Sequence, residues 1–266
     1  MALEYLSPSQ MNMLWRCGEQ YRRRYVEGER IPPGVAALVG TGTHKSIEVD
    51  LKWKMRTGEL LDEQQVADAA RDGLNKAWEE GVMFLPEEKA QGEKKVRGAA
   101  VDQAIGLAKL HRGELAPTIE PVALEEKFIV PVNGSPVSLL GYIDIREPGG
   151  IRDTKTKGRA PGQEEADTSE QFTSYAHAYK AQMGELPKKI YMDCLVKTKV
   201  PKVVTYETER TDQDLTVLQA RFNQAYKIIT AGLFAPTLRS NWWCSPKWCG
   251  YYDTCPYAKG RTSLAF

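Results

Sequence analysis

Three residues near the middle of the chain have the types and spacing to do chemistry. In GYIDIREPGGIRDTKTK, residues 141–157, Pro148-Gly149-Gly150 separates two short β-leaning runs, which is the pattern of a hairpin. Asp144 falls late in the first arm, and Asp153 and Lys155 fall early in the second. Asp153 and Lys155 are two apart and so point the same way, and residues of matching parity on adjacent strands share a face. Carboxylates converging beside an ammonium are costly unless a cation sits between them. Hard divalent ions such as Mg²⁺ or Mn²⁺ take oxygen ligands of this kind. A lysine there could orient a metal-bound water or stabilise negative charge on a phosphate. The tripeptide alone decides nothing, because a surface strand of alternating charge carries the same residues.

The cysteines form a second constellation. There are five: Cys17, Cys194, then Cys244, Cys249 and Cys255 within twelve residues. Three so close together suggest a metal or a cluster rather than a disulfide framework. Cys194, in the middle of YMDCLV, reads as a small core residue.

The elements that must position these residues follow from capping and periodicity. Ser7, Pro8 and Gln10 start a helix through LSPSQMNMLWRCGEQYRRRYV with an N-cap, a proline at the first helical position and a capping box. RIPPGV, residues 30–35, breaks it. Further helices are predicted over 36–56, 62–80 and 93–113. The character changes at Pro117, where PVALEEKFIVPV, SPVSLLGYIDIRE and GIRDTKTK read as an antiparallel meander. A helix over 164–183 closed by Gly184, two more strands in KKIYMDCLVKT and KVVTYETER, and a helix over 212–231 complete the pattern. This order favours one α/β core with a helical N-terminal elaboration.

Composition narrows the function classes. With 266 residues, 42% hydrophobic and 27% charged, the chain has the balance of an ordinary globular protein. No apolar run approaches the ~20 residues that span a bilayer, and MALEYLSPSQ lacks the regions of a signal peptide. A cytoplasmic protein with no membrane partner is expected. A net charge of +1 gives no global basic field. Local clusters at Arg22–Arg24 and at Lys155, Lys157 and Arg159 gain meaning only from their neighbours. LVGTGTHKS lacks the lysine and hydroxyl spacing of a phosphate loop, so ATP is not expected.

The Asp, hairpin turn, Asp-x-Lys pattern resembles the core of the PD-(D/E)XK nuclease superfamily, and neighbouring motifs resemble its RecB-like branch. In that branch an upstream helix supplies a histidine, often preceded by a glycine. GTGTHKSIE places Gly42 and His44 there, with Glu48 four residues on and so on the same helical face. Gln171 and Tyr175 in EQFTSYAHAY match the branch's Gln-x-x-x-Tyr, and Glu125 rather than Glu126 is assigned to the acidic position on the opening strand. His111 and His177 are left as structural or exposed.

The resemblance implies an α/β, restriction-endonuclease-like core with a mixed central sheet and flanking helices, plus a helical N-terminal elaboration and a Cys-rich C-terminal tail. It implies one domain over 1–266: a mainly helical part over 1–116, a catalytic sheet core over 117–210, and a C-terminal helix and tail over 211–266. Asp144, Asp153, Lys155, Gln171 and Tyr175 would then be catalytic. His44, Asp144, Asp153, Glu125 and the carbonyl of Thr154 would serve Mg²⁺ or Mn²⁺. Arg22–Arg24, Lys157 and Arg159 are candidates for phosphate contacts, and Trp15, Trp242, Trp243 and Trp248 for stacking on bases.

Several groups in the branch, including CRISPR-adaptation exonucleases and AddB-type nucleases, hold an iron–sulfur cluster on one N-terminal and three C-terminal cysteines. Cys17 and Cys249-x5-Cys255-Pro256 match that pattern, but four residues separate Cys244 from Cys249 where the family usually has two. A [4Fe–4S] cluster on Cys17, Cys244, Cys249 and Cys255 is therefore implied, with structural zinc or no metal as alternatives. The expected activity is metal-dependent hydrolysis of DNA, most of all at single-stranded or free ends, in recombination, repair, CRISPR adaptation or phage DNA processing. A DNA-binding subunit of a larger complex and a site-specific endonuclease are the alternatives. Phage-encoded relatives would place the protein in a host cytoplasm. The sequence sets no oligomeric state.

Overall fold

The computed structural model describes residues 3–238 and 240–258. In chain order the elements are β1 (Tyr5–Leu6), α1 (Pro8–Arg16), α2 (Gly18–Tyr21) with a π-helical turn over Arg22–Val26, α3 (Val35–Thr57), α4 (Glu63–Glu79), α5 (Pro86–Gln91) and α6 (Glu93–Glu114). Strands β2 (Ala123–Pro131), β3 (Ser138–Glu147) and β4 (Gly150–Lys157) follow, then α7 (Gln163–Asp167), α8 (Glu170–Met183), β5 (Lys189–Val196), β6 (Lys202–Thr208) and α9 (Asp212–Thr230). The α/β class and the mixed, helix-flanked sheet expected from the sequence are what the chain forms.

The sheet is organised around β3. Antiparallel β2 runs along one edge of it, from Ala123 opposite Arg146 to Pro131 opposite Ser138. Two partners share the other edge. Parallel β1 sits at its start, with Leu6 opposite Leu139, and antiparallel β4 at its end, from Ile145 opposite Arg152 to Glu147 opposite Gly150. Beyond β4, β5 pairs parallel and β6 antiparallel. Between Leu139 and Ile145 that edge of β3 has no strand partner among the described residues. Asp144 precedes Ile145 and Asp153 follows Arg152, the last pair of the hairpin, at the point where β3 and β4 part.

A hydrophobic core lies on each side of the sheet. On one, α3, α4 and α6 pack Leu38, Leu51, Leu74 and Leu107 with Ile145 and Leu195. On the other, α1, α8 and α9 pack Met11, Phe172 and Phe222 with Phe128, Leu139 and Ile151. The site therefore sits within a sheet braced from both faces, which holds its backbone to one geometry.

Two expected helices are interrupted. The capping box at Ser7 forms, with Gln10 N donating to Ser7 Oγ (3.2 Å) and Ser7 N to Gln10 Oε1 (2.7 Å), but α1 stops at Cys17, whose backbone is extended (φ −166°, ψ 110°). Gly18 then donates to the Ala235 carbonyl at 2.9 Å. A Cβ on Gly18 would stand 2.7 Å from that oxygen, so the close approach of the two segments requires glycine. The second interruption divides the 164–183 helix into α7 and α8. Ser169 caps α8 by accepting from Phe172 N (3.3 Å), and Arg210 donates to the carbonyls of Ala166 (2.8 Å) and Ser169 (3.2 Å) at the break. Strand β1 and helix α5 were also outside the expected pattern.

Candidate active site

Three elements bring the acidic residues together. Helix α3 carries His44 and Glu48. A Cβ on Gly42 would meet the Ala70 carbonyl at 2.7 Å and the Leu74 Cβ at 2.8 Å, so only glycine allows α4 this close. Ser46 Oγ fixes the same contact by donating to Val66 O at 2.7 Å. The second element is β2, where Glu125 has φ 49°. A non-glycine residue with positive φ in mid-strand is strained, and such strain concentrates at functional positions. The third is the β3–β4 hairpin with Asp144, Asp153, Thr154 and Lys155. His44, Glu48, Glu125, Asp144 and Thr154 line one small pocket, which opens to a cleft bordered by Lys155 and Lys157.

Asp153 is fully buried. Lys155 Nζ donates to its Oδ1 at 3.0 Å and stands 2.8 Å from its Oδ2. That second oxygen has the ammonium as its ion-pair partner, and the buried Thr154 hydroxyl has no hydrogen-bond partner. The Asp153 carboxylate is thus neutralised by the lysine, and its oxygens are of the kind a divalent cation takes. Gln171, on α8, accepts from Lys155 Nζ at 3.0 Å, and its amide donates to Asp153 Oδ1 (3.4 Å) and to the Tyr175 hydroxyl (2.5 Å). The Gln-x-x-x-Tyr pair thus orients the lysine, one turn of helix apart. His44 Nδ1 is 3.8 Å from Asp144 Oδ2.

The electrostatics are those of crowded carboxylates. Burial, then Asp153, push the Asp144 carboxyl well above the ordinary range. Burial, then Glu48, raise Glu125. Burial alone would lower the Lys155 ammonium, but Asp153 and Asp144 outweigh it and hold the group above its ordinary value. Burial, followed by Asp153 and Asp144, raises Tyr175 well above the ordinary phenol range. Among the described residues, no group of three or more His, Cys, Asp or Glu side chains is arranged to hold a metal ion. The positive charge beside Asp153 is that of Lys155.

Glu126, the alternative to Glu125, pairs instead with Arg146 at 2.7 Å. Arg152 and Asp193 escaped the sequence reading. Arg152 donates to both Asp193 oxygens (3.0 and 2.8 Å) and to Glu147 (3.1 Å), and Thr205 Oγ1 donates to Asp193 at 2.6 Å. This buried pair locks β4 to β5 one residue before Asp153. Its sequence signal is a single acid, Asp193, in the middle of the otherwise apolar run YMDCLV.

The cysteines meet away from this pocket. Cys17, Cys244, Cys249 and Cys255 line one cavity, together with Gln20 and Thr237. Gln20 Nε2 donates to Cys249 Sγ (3.0 Å), and Thr237 N to Cys17 Sγ (3.4 Å). Cys194 is buried in the sheet. The arginine cluster has a different place from the one expected. Arg22 pairs with Glu19 and Glu27. Arg23 is buried, pairing with Glu29 (2.6 Å) and donating to Thr254 Oγ1 (2.7 Å), where it fastens the tail. Neither is free for a phosphate. Lys157 pairs with Glu165. Arg159 is exposed.

A model of the PD-(D/E)XK nuclease superfamily matches residues 5–256, and the chain belongs to that superfamily. No curated protein matches the chain. Among solved structures it is similar to one from Eubacterium rectale described as "Putative exonuclease", with a TM-score of 0.57 and 15% identity over 91% of this chain and 87% of that one. At that identity the likeness speaks for the fold. No helix among the described residues is long and apolar enough to cross a membrane.

Proposed function

We propose that the chain is a Mg²⁺- or Mn²⁺-dependent deoxyribonuclease that acts as an exonuclease on single-stranded or free DNA ends. The observation that carries this reading is the buried Asp153 carboxylate, ion-paired to Lys155, beside Asp144 where the sheet opens. The description of the similar Eubacterium rectale structure favours exonucleolytic over internal cleavage. Asp144, Asp153, His44 and the Thr154 carbonyl are the residues that would hold the ion, with Glu125 and Glu48 at its margin. A divalent ion bound there neutralises a scissile phosphate and acidifies a coordinated water. Lys155, held charged by its two carboxylates, stabilises charge on the phosphate and positions the water rather than taking its proton. Gln171 fixes the ammonium, and Tyr175 fixes Gln171. A role in recombination, repair or phage DNA processing follows from such an activity.

The same reading includes a [4Fe–4S] cluster on the cysteine cavity. The residue types suit it, since four cysteines line one cavity and two N–H groups point at sulfur. The cluster would fasten the tail to α1 and α2. Iron and acid-labile sulfide in anaerobically purified protein support it, whereas one zinc per chain replaces it with a structural zinc site.

The test of activity is cleavage of end-labelled linear against circular single-stranded DNA with Mg²⁺, Mn²⁺ or EDTA. Metal-dependent loss of the linear strand alone is expected. Cutting of both makes the enzyme an endonuclease. DNA binding without cutting under any metal makes it a binding subunit.

A further inference from the structure

Beside the cysteine cavity the tail presents an aromatic surface. Trp242 and Trp248 are 64% and 52% exposed. Their rings pack edge to face, with centroids 5.1 Å apart and planes at 84°, and Trp243 packs in the same manner on Trp242 at 5.6 Å. Removing so much aromatic surface from water is favourable, and these rings leave it exposed. Cations stand beside them. Lys247 Nζ lies 5.7 Å from the Trp248 ring centre, and the exposed Arg16 donates to Trp248 O at 3.1 Å. Trp243 Nε1 donates to Arg16 O at 3.2 Å, which fixes the array against the end of α1.

This surface is linked to the active site through side-chain contacts and neighbouring residues of α1 and α8. Gln171, bonded to Lys155, follows Glu170, whose carboxylate accepts from Arg221 at 3.1 and 3.3 Å. The Arg221 guanidinium lies 4.8 Å over the Trp15 ring. Trp15 precedes Arg16, which holds the tryptophans.

We propose that Trp242 and Trp248, flanked by Arg16 and Lys247, form a stacking platform that grips a single-stranded nucleic acid whose end is in the active site. The inference rests on the nuclease reading above. Exposed aromatic rings stack on any base, and the adjacent cations would meet the phosphates between them. An apolar protein partner would leave both cations unpaired at its interface, so charge complementarity favours the polyanion. The platform would let the enzyme hold a strand without reading its sequence. Long strands would then be preferred over short ones.

The test uses full-length protein in EDTA, where cleavage is absent. The probe is fluorescein-labelled oligothymidylate of about 20 nucleotides, several times the smallest stacked site. The Trp242→Ala/Trp248→Ala variant should bind it ~10–100-fold more weakly, while the Trp242→Phe/Trp248→Phe variant should recover most of the affinity. Binding should quench tryptophan fluorescence in the wild type and far less in the Phe variant, a readout that does not depend on the Ala variant folding. With metal restored, a substrate of about four nucleotides should be cut equally by the wild type and the Phe variant. If the Ala variant binds the long strand as the wild type does, or the Phe variant binds with undiminished quenching, the platform is elsewhere and the nuclease reading stands. Wild-type protein that neither binds nor cuts DNA overturns both.

Discussion

At the scale of single residues, the site is a balance of charges that only some residues can hold. Lys155 is the cation between Asp153 and Gln171, so Lys155→Met, which keeps the apolar stem, should lower the cleavage rate by ~10²-fold or more. Its circular dichroism and its affinity for DNA in EDTA should stay near wild type. A rate within a few-fold of wild type would remove the ammonium from the mechanism. His111 tests a different balance. It is buried on α6 with Nε2 unpaired, and burial, followed by the positive groups His44 and Arg152, pushes it down from 6.5 to about 3. The unfolded chain therefore binds more protons than the folded one between these values, and stability rises with pH across that window. Read the other way, stability present at neutral pH is lost as pH falls from 6.5 towards 3. His111→Leu should flatten that acid limb, seen as urea midpoints that change less between pH 7 and pH 4 than those of the wild type. Equal losses in both proteins would assign the limb to the carboxylates instead.

At the scale of elements, α3 places His44 only because α4 can lie against Gly42. Gly42→Ala forces a methyl into the Ala70 carbonyl and Leu74, neither of which can rotate away. We expect a loss of about 1–3 kcal/mol of stability, measured by urea unfolding, together with slower cleavage as His44 moves with its helix. The long helices were legible in the sequence almost to the residue. Predicted spans of 36–56, 62–80 and 93–113 compare with Val35–Thr57, Glu63–Glu79 and Glu93–Glu114, because caps and apolar periodicity are local signals. The breaks at Cys17 and Thr168 were not legible, since they are satisfied by Ala235 and Arg210, which arrive from distant parts of the chain. Strand β1 is two residues long, too short for any period to show. The same division runs through the site. Asp144, Asp153 and Lys155 stood out by type and spacing, Gln171 and Tyr175 by the family resemblance, and these are found together, whereas the left-handed backbone at Glu125 and the Arg152–Asp193 lock are tertiary facts. The Gly18 break has its own consequence. Gly18→Ala should push the 235–237 segment away from Cys17, so that trypsin cuts after Lys247 sooner than in the wild type.

At the scale of the whole molecule, the pocket is a fault in an otherwise well-packed structure. Both faces of the sheet are covered by apolar cores, yet between them the fold buries the Asp153 carboxylate and crowds it with Asp144 and Glu125. Burying such groups costs stability, and the neighbouring lysine offsets only part of it. A divalent ion that binds the folded state should recover that stability by mass action, about 2.7 kcal/mol at a hundredfold excess over its dissociation constant. For a chain of this size that corresponds to a rise in Tm of roughly 5–10 °C. Ca²⁺, which takes the same oxygen ligands, should show the effect alongside Mn²⁺ and Mg²⁺, and EDTA should reverse it. Asp153→Asn removes the buried charge, so its Tm should respond little to any of the three ions. If the variant gained as much as the wild type, the ions would be stabilising the protein at another place, and the strain around Asp153 would need another cause. If neither responded but the wild type still cut DNA with Mg²⁺, the ion would be entering with the phosphate, and the open edge of β3 would be a seat for the substrate first and the metal second.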